Sequence, residues 1–219
     1  MNYLLIDAHL KQDLFNCELV SYIHRHLAAR GNCIERSELY SIGFNNSNHY
    51  HKKLPVKSLA RFNKQNHEQF SIEINCFEDR VLDEIDKIEW ADTIIIHYPM
   101  QWLKTPQIIL NYLDEVFELN KPSGQRWYDP ADLADKTFIA ALATNASQEF
   151  YNQNGLRFGA EELIMPVKSS IQNATGVNLL KQFTMWDLQN TPTPEQNSII
   201  GSYKEFVGLS QNEKIANIS

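Results

Sequence analysis

Three stretches, at 97–106, 7–16 and 144–151, bring together residue types that could do chemistry. The first reads His97-Tyr98-Pro99-Met100-Gln101-Trp102-Leu103-Lys104-Thr105-Pro106. Two prolines bracket Met, Trp and Leu, so the loop is rigid, apolar and rich in backbone N–H groups. A flat aromatic heterocycle with polar edges needs that combination. A hydrophobic plug that seats one helix on its sheet would explain the loop equally well. The stretch at 7–16 has neither the three-glycine phosphate turn nor the P-loop lysine. That argues against a dinucleotide-binding dehydrogenase and against an NTPase. Asn16 and the amides that open the following helix could still accept a phosphate, with His9 assisting. A lone histidine at a strand end is more often structural. In the third stretch, Thr144-Asn145-Ala146-Ser147 offers small polar groups, and Phe150-Tyr151 follows. Such a loop could hydrogen-bond the edge of a ring and stack on it.

Other chemistries find no footing. There is no Gly-x-Ser-x-Gly, His-Glu-x-x-His or Cys-x-x-Cys. Cys17, Cys33 and Cys76 are odd in number and follow no metal or disulfide spacing, so reduced thiols are expected. His49 and His51 lack a third ligand, and no metal is expected. The pairs Asp114/Glu115 and Glu161/Glu162 fall on predicted helix faces and read as solvated surface. A net charge of −7 opposes binding to nucleic acid or to an anionic membrane. No run approaches the roughly 20 apolar residues of a membrane helix. The first residues lack the basic-then-apolar pattern of a secretory signal, so the cytoplasm is expected.

The elements that must position these loops follow from periodicity. Tyr3-Leu4-Leu5-Ile6, Thr93-Ile94-Ile95-Ile96 and Phe138-Ile139-Ala140-Ala141-Leu142-Ala143 are apolar runs that suit buried parallel strands. Further strands are expected over 33–39 and 183–188. Leu19, Val20, Ile23 and Leu27 recur at helical spacing, as do Val81, Leu82, Ile85 and Ile88. Ile108, Ile109, Tyr112, Leu113, Val116 and Phe117 form another helix face. Helices are also expected over 159–174, interrupted at Pro166, and over 195–207. The stretch 41–70 reads as an irregular excursion; its Lys52, Lys53, Lys57, Arg61 and Lys64 read as solvated. Alternating strands and helices predict one α/β domain, 1–219, with a parallel sheet covered on both faces. In such a sheet ligands bind at the carboxyl ends of strands, where all three loops begin.

The run from Trp90 to Trp102, continuing to Pro106 and to Tyr112-Leu113-Asp114-Glu115-Val116-Phe117, resembles the central signature of flavodoxin-like NAD(P)H:quinone oxidoreductases. Ala8-His9, then Leu14 and Asn16, together with Asn145-Ala146 and Glu149, are most similar to the modulator of drug activity B group. The resemblance covers nearly the whole chain. It implies a flavodoxin-like three-layer sandwich with a five-stranded parallel sheet. It also implies a homodimer, FAD rather than FMN, NADPH or NADH as donor, and a small-molecule quinone as acceptor. Carried over by position, Pro99, Met100, Gln101, Trp102 and Leu103 would carry the flavin ring. Thr144, Asn145 and Ala146 would face its edge, and His9, Phe15 and Asn16 would take the phosphates. Tyr151 would border the substrate pocket as the catalytic residue. Arg61, Arg126 and Arg157 are the options for a nicotinamide 2′-phosphate. Asp13, Lys104 and Ser147 depart from the pattern. The first two motivate an alternative, a regulatory or ancillary binding protein on the same fold. An FMN-dependent azo or flavin reductase is the nearer alternative.

Overall fold

The computed structural model describes residues 1–10, 14–45, 79–100, 104–117, 133, 135–153, 160–175, 180–188 and 190–216. Its strands are β1 (Asn2–Asp7), β2 (Cys33–Glu38), β3 (Thr93–Met100), β4 (Thr137–Thr144) and β5 (Leu180–Met185). They pair in parallel in the order β2-β1-β3-β4-β5. The helices are α1 (Leu14–Ala29), α2 (Leu39–Ile42), α3 (Asp79–Trp90), α4 (Gln107–Val116), α5 (Gln148–Gln153), α6 (Ala160–Leu163), α7 (Met165–Thr175) and α8 (Thr193–Ala216).

The period of two in the strands divides the core between two faces. Leu4, Ile6, Ile94, Ile96, Phe138 and Ala140 point one way, against Val81 and Ile85 of α3, Ile109 and Leu113 of α4, and Val167 of α7. Tyr3, Leu5, Ile95, Ile139 and Ala141 point the other way, against Leu19 and Ile23 of α1 and Tyr203 and Val207 of α8. The sheet is therefore the middle of three layers, as the apolar runs predict.

β3 outlasts its apolar run. It pairs with β1 only as far as His97, yet stays paired with β4 to Met100. The His97 carbonyl accepts the Ala8 N–H at 3.0 Å, so His97 faces β1. Pro99, two residues on, faces the same side but lies beyond the end of β1. No neighbouring strand needs its missing N–H there, which is where a strand tolerates proline. The mismatch leaves a step of roughly 10 Å, three residues of strand rise, between the ends of β1 and β3.

Several expectations need correction. The last strand is Leu180–Met185 rather than 183–188, because Asp187 takes a positive φ of 47° and turns the chain. Pro166 is the second residue of α7, where its lost N–H needs no helical partner, so it separates α6 from α7 without kinking either. The excursion at 41–70 begins in order: α2 ends at Gly43, whose φ of 92° forms its C-cap, and Phe44 is fully buried. Glu115 is not solvated. It is buried against Arg80 at 2.5 Å, and that guanidinium also lies 4.2 Å above the Phe44 ring. The chain from 46 to 78, with its basic residues and its His49/His51 pair, lies outside the described residues.

Candidate functional site

The carboxyl ends of β1 and β3, otherwise apolar strands, and of the polar edge strand β2 carry a buried polar cluster. Asp7, His9 and His97 are all buried. The register sets Asp7 level with both Glu38 and His97. Asp7 Oδ1 accepts the backbone N–H of His9 at 3.0 Å and lies 2.6 Å from His9 Nδ1. Its Oδ2 accepts from Arg36 at 2.5 Å, and Arg36 reaches Glu38 at 3.3 Å. Burial alone would push the Asp7 carboxyl up. Hydrogen bonds and charge from His9 and Arg36 more than offset this and hold it at about 2, against an ordinary 3.8. Asp7 is therefore ionised and can only accept, which makes Nδ1 of His9 the donor. The other ring nitrogen, Nε2, is buried without a hydrogen-bond partner among the described residues.

The His97 ring meets the His9 ring edge-on, with centroids 4.6 Å apart, and meets Tyr203 of α8 at 5.9 Å. Burial first, and His9 next, hold His97 well below the ordinary 6.5, so it is neutral at pH 7. Burial and the Asp7 charge push the Tyr203 hydroxyl up, so it too is neutral.

Beside this cluster lies a cavity of about 390 Å³, lined by Asp7, His9, Cys17, Arg36, Glu38 and Tyr40 among others. α1 opens at its edge, and the first turn of that helix carries no acidic side chain. Phe15 is half-buried against the α1/α8 core, and Asn16 is buried. The opening N–H groups of α1 are the groups here that fit a cofactor phosphate, although Asp13 directly precedes them in the sequence, and the His9 ring itself is fully enclosed.

The other two loops converge on the same end of the sheet, where Met100 pairs with Thr144. Pro99 is half-exposed, while the Met100 side chain turns into the core. The Thr144 hydroxyl donates to the Ala146 carbonyl at 2.8 Å. The N–H of Asp187 reaches that same carbonyl at 3.1 Å, and the N–H of Leu188 reaches the Thr144 carbonyl at 3.1 Å. Asn190 donates to the Asp187 carboxylate at 2.6 Å and steadies the strained turn. The turn after β5 thus fixes the shape of the 144–146 loop and leaves Asn145 exposed. Lys104 is exposed. Gln101, Trp102, Leu103 and Asp13 lie outside the described residues, as does the side chain of Tyr151 on α5. Among the described residues no group of three or more His, Cys, Asp or Glu could hold a metal ion. No described helix is long and apolar enough to cross a membrane.

A family model described as the flavodoxin-like fold matches residues 1–205. The chain belongs to that family. The order β2-β1-β3-β4-β5 is the flavodoxin-like order, and its switch point falls between β1 and β3, at the polar cluster. A ribosyldihydronicotinamide dehydrogenase [quinone] of Rattus norvegicus is 23% identical over 189 residues, which are 81% of this chain and 78% of that protein. A Klebsiella pneumoniae structure named as a quinone reductase superposes with a TM-score of 0.73 at 18% identity, over 95% of this chain and 84% of its own. General stress protein 14 of Treponema denticola, solved in complex with FMN, gives a TM-score of 0.60 at 16% identity, over 95% of this chain and 97% of its own.

Within this flavodoxin-like chain, sequence reasoning missed Asp7, Arg36, His97, Asp187 and Tyr203. A signal for Asp7 was present: a carboxylate ends an apolar strand two residues before a histidine. Arg36 had none, because only strand register brings it beside Asp7.

Proposed function

We propose that this protein is an NAD(P)H:quinone oxidoreductase that works through a bound flavin, FAD in this reading. The observation that carries the proposal is that the carboxyl ends of β1, β3 and β4 lie side by side in the sheet. In this reading His9, Phe15 and Asn16 stand at the phosphate end of the cofactor, and Pro99, Met100, Thr144, Asn145 and Ala146 at its ring end. A bound flavin would take a hydride from NADPH or NADH and deliver two electrons, with protons, to a quinone to give a hydroquinone.

The chain's own work is to bind and orient. The first amides of α1 would hold phosphate oxygens, with Phe15, Asn16 and the His9 backbone beside them. By the family resemblance, Pro99 and the Gln101-Trp102-Leu103 stretch after it would carry the ring. The 144–146 loop, braced by Asp187, meets the ring's polar edge. By the same resemblance, Tyr151 would border the space taken in turn by nicotinamide and quinone. The family resemblance supports a homodimer and a cytoplasmic setting for this chemistry.

The test is an absorbance spectrum of the purified protein with FAD, followed by NADPH under nitrogen and then a quinone. Bleaching by NADPH and recovery on adding the quinone is the expected result. A protein that ignores both FAD and FMN would overturn the proposal. A second reading, an FMN-dependent azo or flavin reductase, is favoured by the FMN held in the Treponema denticola neighbour. FMN rather than FAD released on denaturation, with faster turnover of an azo dye than of a quinone, would select it.

A further inference from the structure

We infer that Asp187 is a positioning residue for the ring end of the site, acting through its backbone on the 144–146 loop. The inference rests on the reading above, in which that loop meets the polar edge of a flavin ring.

Among the described residues Asp187 is the one residue other than glycine with a positive φ, 47°. An L residue seldom takes that conformation, because its Cβ crowds the following carbonyl. Its neighbours hold it there. Trp186 packs against the core on one face of the sheet, and Leu188 is buried in the core on the other. The turn between them sends two consecutive N–H groups into the loop after β4. The Asp187 N–H reaches the Ala146 carbonyl at 3.1 Å and the Thr144 hydroxyl oxygen at 3.3 Å. The Leu188 N–H donates to the Thr144 carbonyl at 3.1 Å. From behind, the approach to α8 secures the turn. The Asp187 carbonyl accepts the N–H groups of Asn190 and Thr191, each at 3.1 Å, and the Thr191 hydroxyl at 2.8 Å. Gln196 of α8 donates to the Leu188 carbonyl at 3.0 Å. Both carbonyls that flank Asn145 are thereby tied down inside the protein, and Asn145 is the exposed residue between them. At a negative φ the two N–H groups could not both keep these carbonyls, and the loop would lose its shape. The same conformation is therefore what presets the 144–146 loop for a ring, before any cofactor binds.

The test compares Asp187→Gly with Asp187→Val, beside the wild-type protein, each titrated with riboflavin, FMN and FAD. Both substitutions remove the carboxylate and its bond from Asn190. Glycine takes a positive φ freely, and a β-branched residue does not, so the pair isolates the backbone conformation. Asp187→Val is expected to bind all three flavins about tenfold more weakly than Asp187→Gly, the size expected for forcing a branched residue into that conformation. Riboflavin shares the loss because the loop stands at the ring. Two further readouts accompany the titration. In flavin-free protein the Leu188 amide will exchange with solvent about tenfold faster in Asp187→Val than in Asp187→Gly. The midpoint potential of the bound flavin will also be lower in Asp187→Val, whereas a merely structural role changes the folded fraction and leaves that potential alone. Should Asp187→Val fold poorly, Asp187→Ala is the milder variant and is expected to fall between the two. Equal flavin affinities and equal potentials in Asp187→Gly and Asp187→Val would overturn the proposal while leaving the flavin reading intact. A wild-type protein that binds none of the three flavins would instead overturn that reading, and this proposal with it.

Discussion

Replacing Asp7 with asparagine will cost stability at neutral pH and almost none in strong acid. The Asp7 carboxyl lies at about 2 in the folded protein against an ordinary 3.8, and Asp7 is 4% exposed, so little solvent screening applies. At about 1.36 kcal/mol for each tenfold in proton affinity, that difference corresponds to about 2 kcal/mol. The folded value is the depressed one. The contribution is therefore fully present above the ordinary carboxylate range and disappears as pH falls toward about 2. Urea unfolding of wild type and Asp7→Asn, followed by circular dichroism, gives the difference at each pH. The gap at about pH 5 will narrow by about 1 kcal/mol at about pH 3 and by about 2 kcal/mol at about pH 2. His97 is common to both proteins, so its own acid titration cancels to first order. A gap that stays constant across this range would refute the reasoning. It would mean that His9 and Arg36 do not favour the charged carboxylate beyond what burial takes away.

Three further outcomes follow from the same geometry. The Tyr112 hydroxyl donates to the buried Glu84 carboxylate at 3.1 Å, so Tyr112→Phe will lower stability by about 1–2 kcal/mol. The urea midpoint will fall with an unchanged slope. Ile96 is fully buried at the centre of β3, and Ile96→Ala will cost about 2–5 kcal/mol and lower the thermal midpoint. Chromatography of the flavin released by denaturation will yield FAD; FMN there would move the proposal to its second reading.

The fold was legible because its strongest signals agree. Three apolar runs could only be buried strands, and the helix faces at 19–27, 81–88 and 108–117 each matched one side of the sheet. What sequence could not supply was register. Glu115 looked solvated because its partner Arg80 lies on another helix, and that pairing exists only once α3 and α4 pack together. Asp187 was absorbed into an expected strand because Phe183-Thr184-Met185-Trp186 suits one, and its turn is imposed by bonds to the 144–146 loop. The sequence pointed to the prolines and aromatics at 97–106 as a ring platform, of which Gln101, Trp102 and Leu103 lie outside the described residues. At the end of β1 the sequence singled out His9, Phe15 and Asn16. Their supports, Asp7 and Arg36, lie on neighbouring strands 29 residues apart.

A cluster of Asp7, Arg36, His9 and His97 is an expensive way to finish three strands. Removing paired charges from water costs several kcal/mol for each ion, and well-packed apolar side chains of the same volume would often be as stable or more so. Glu84 shows how the same chain treats a buried charge that only has to be held: Ser37, Lys87 and Tyr112 all bond to it. At the strand ends the arrangement is different. Asp7 is saturated, yet the imidazole nitrogen it governs is left without a partner beside a cavity. Arg36 Nε and His97 Nε2 have no hydrogen-bond partner among the described residues either, so this corner, at the topological switch point of the sheet, is held less completely than Glu84.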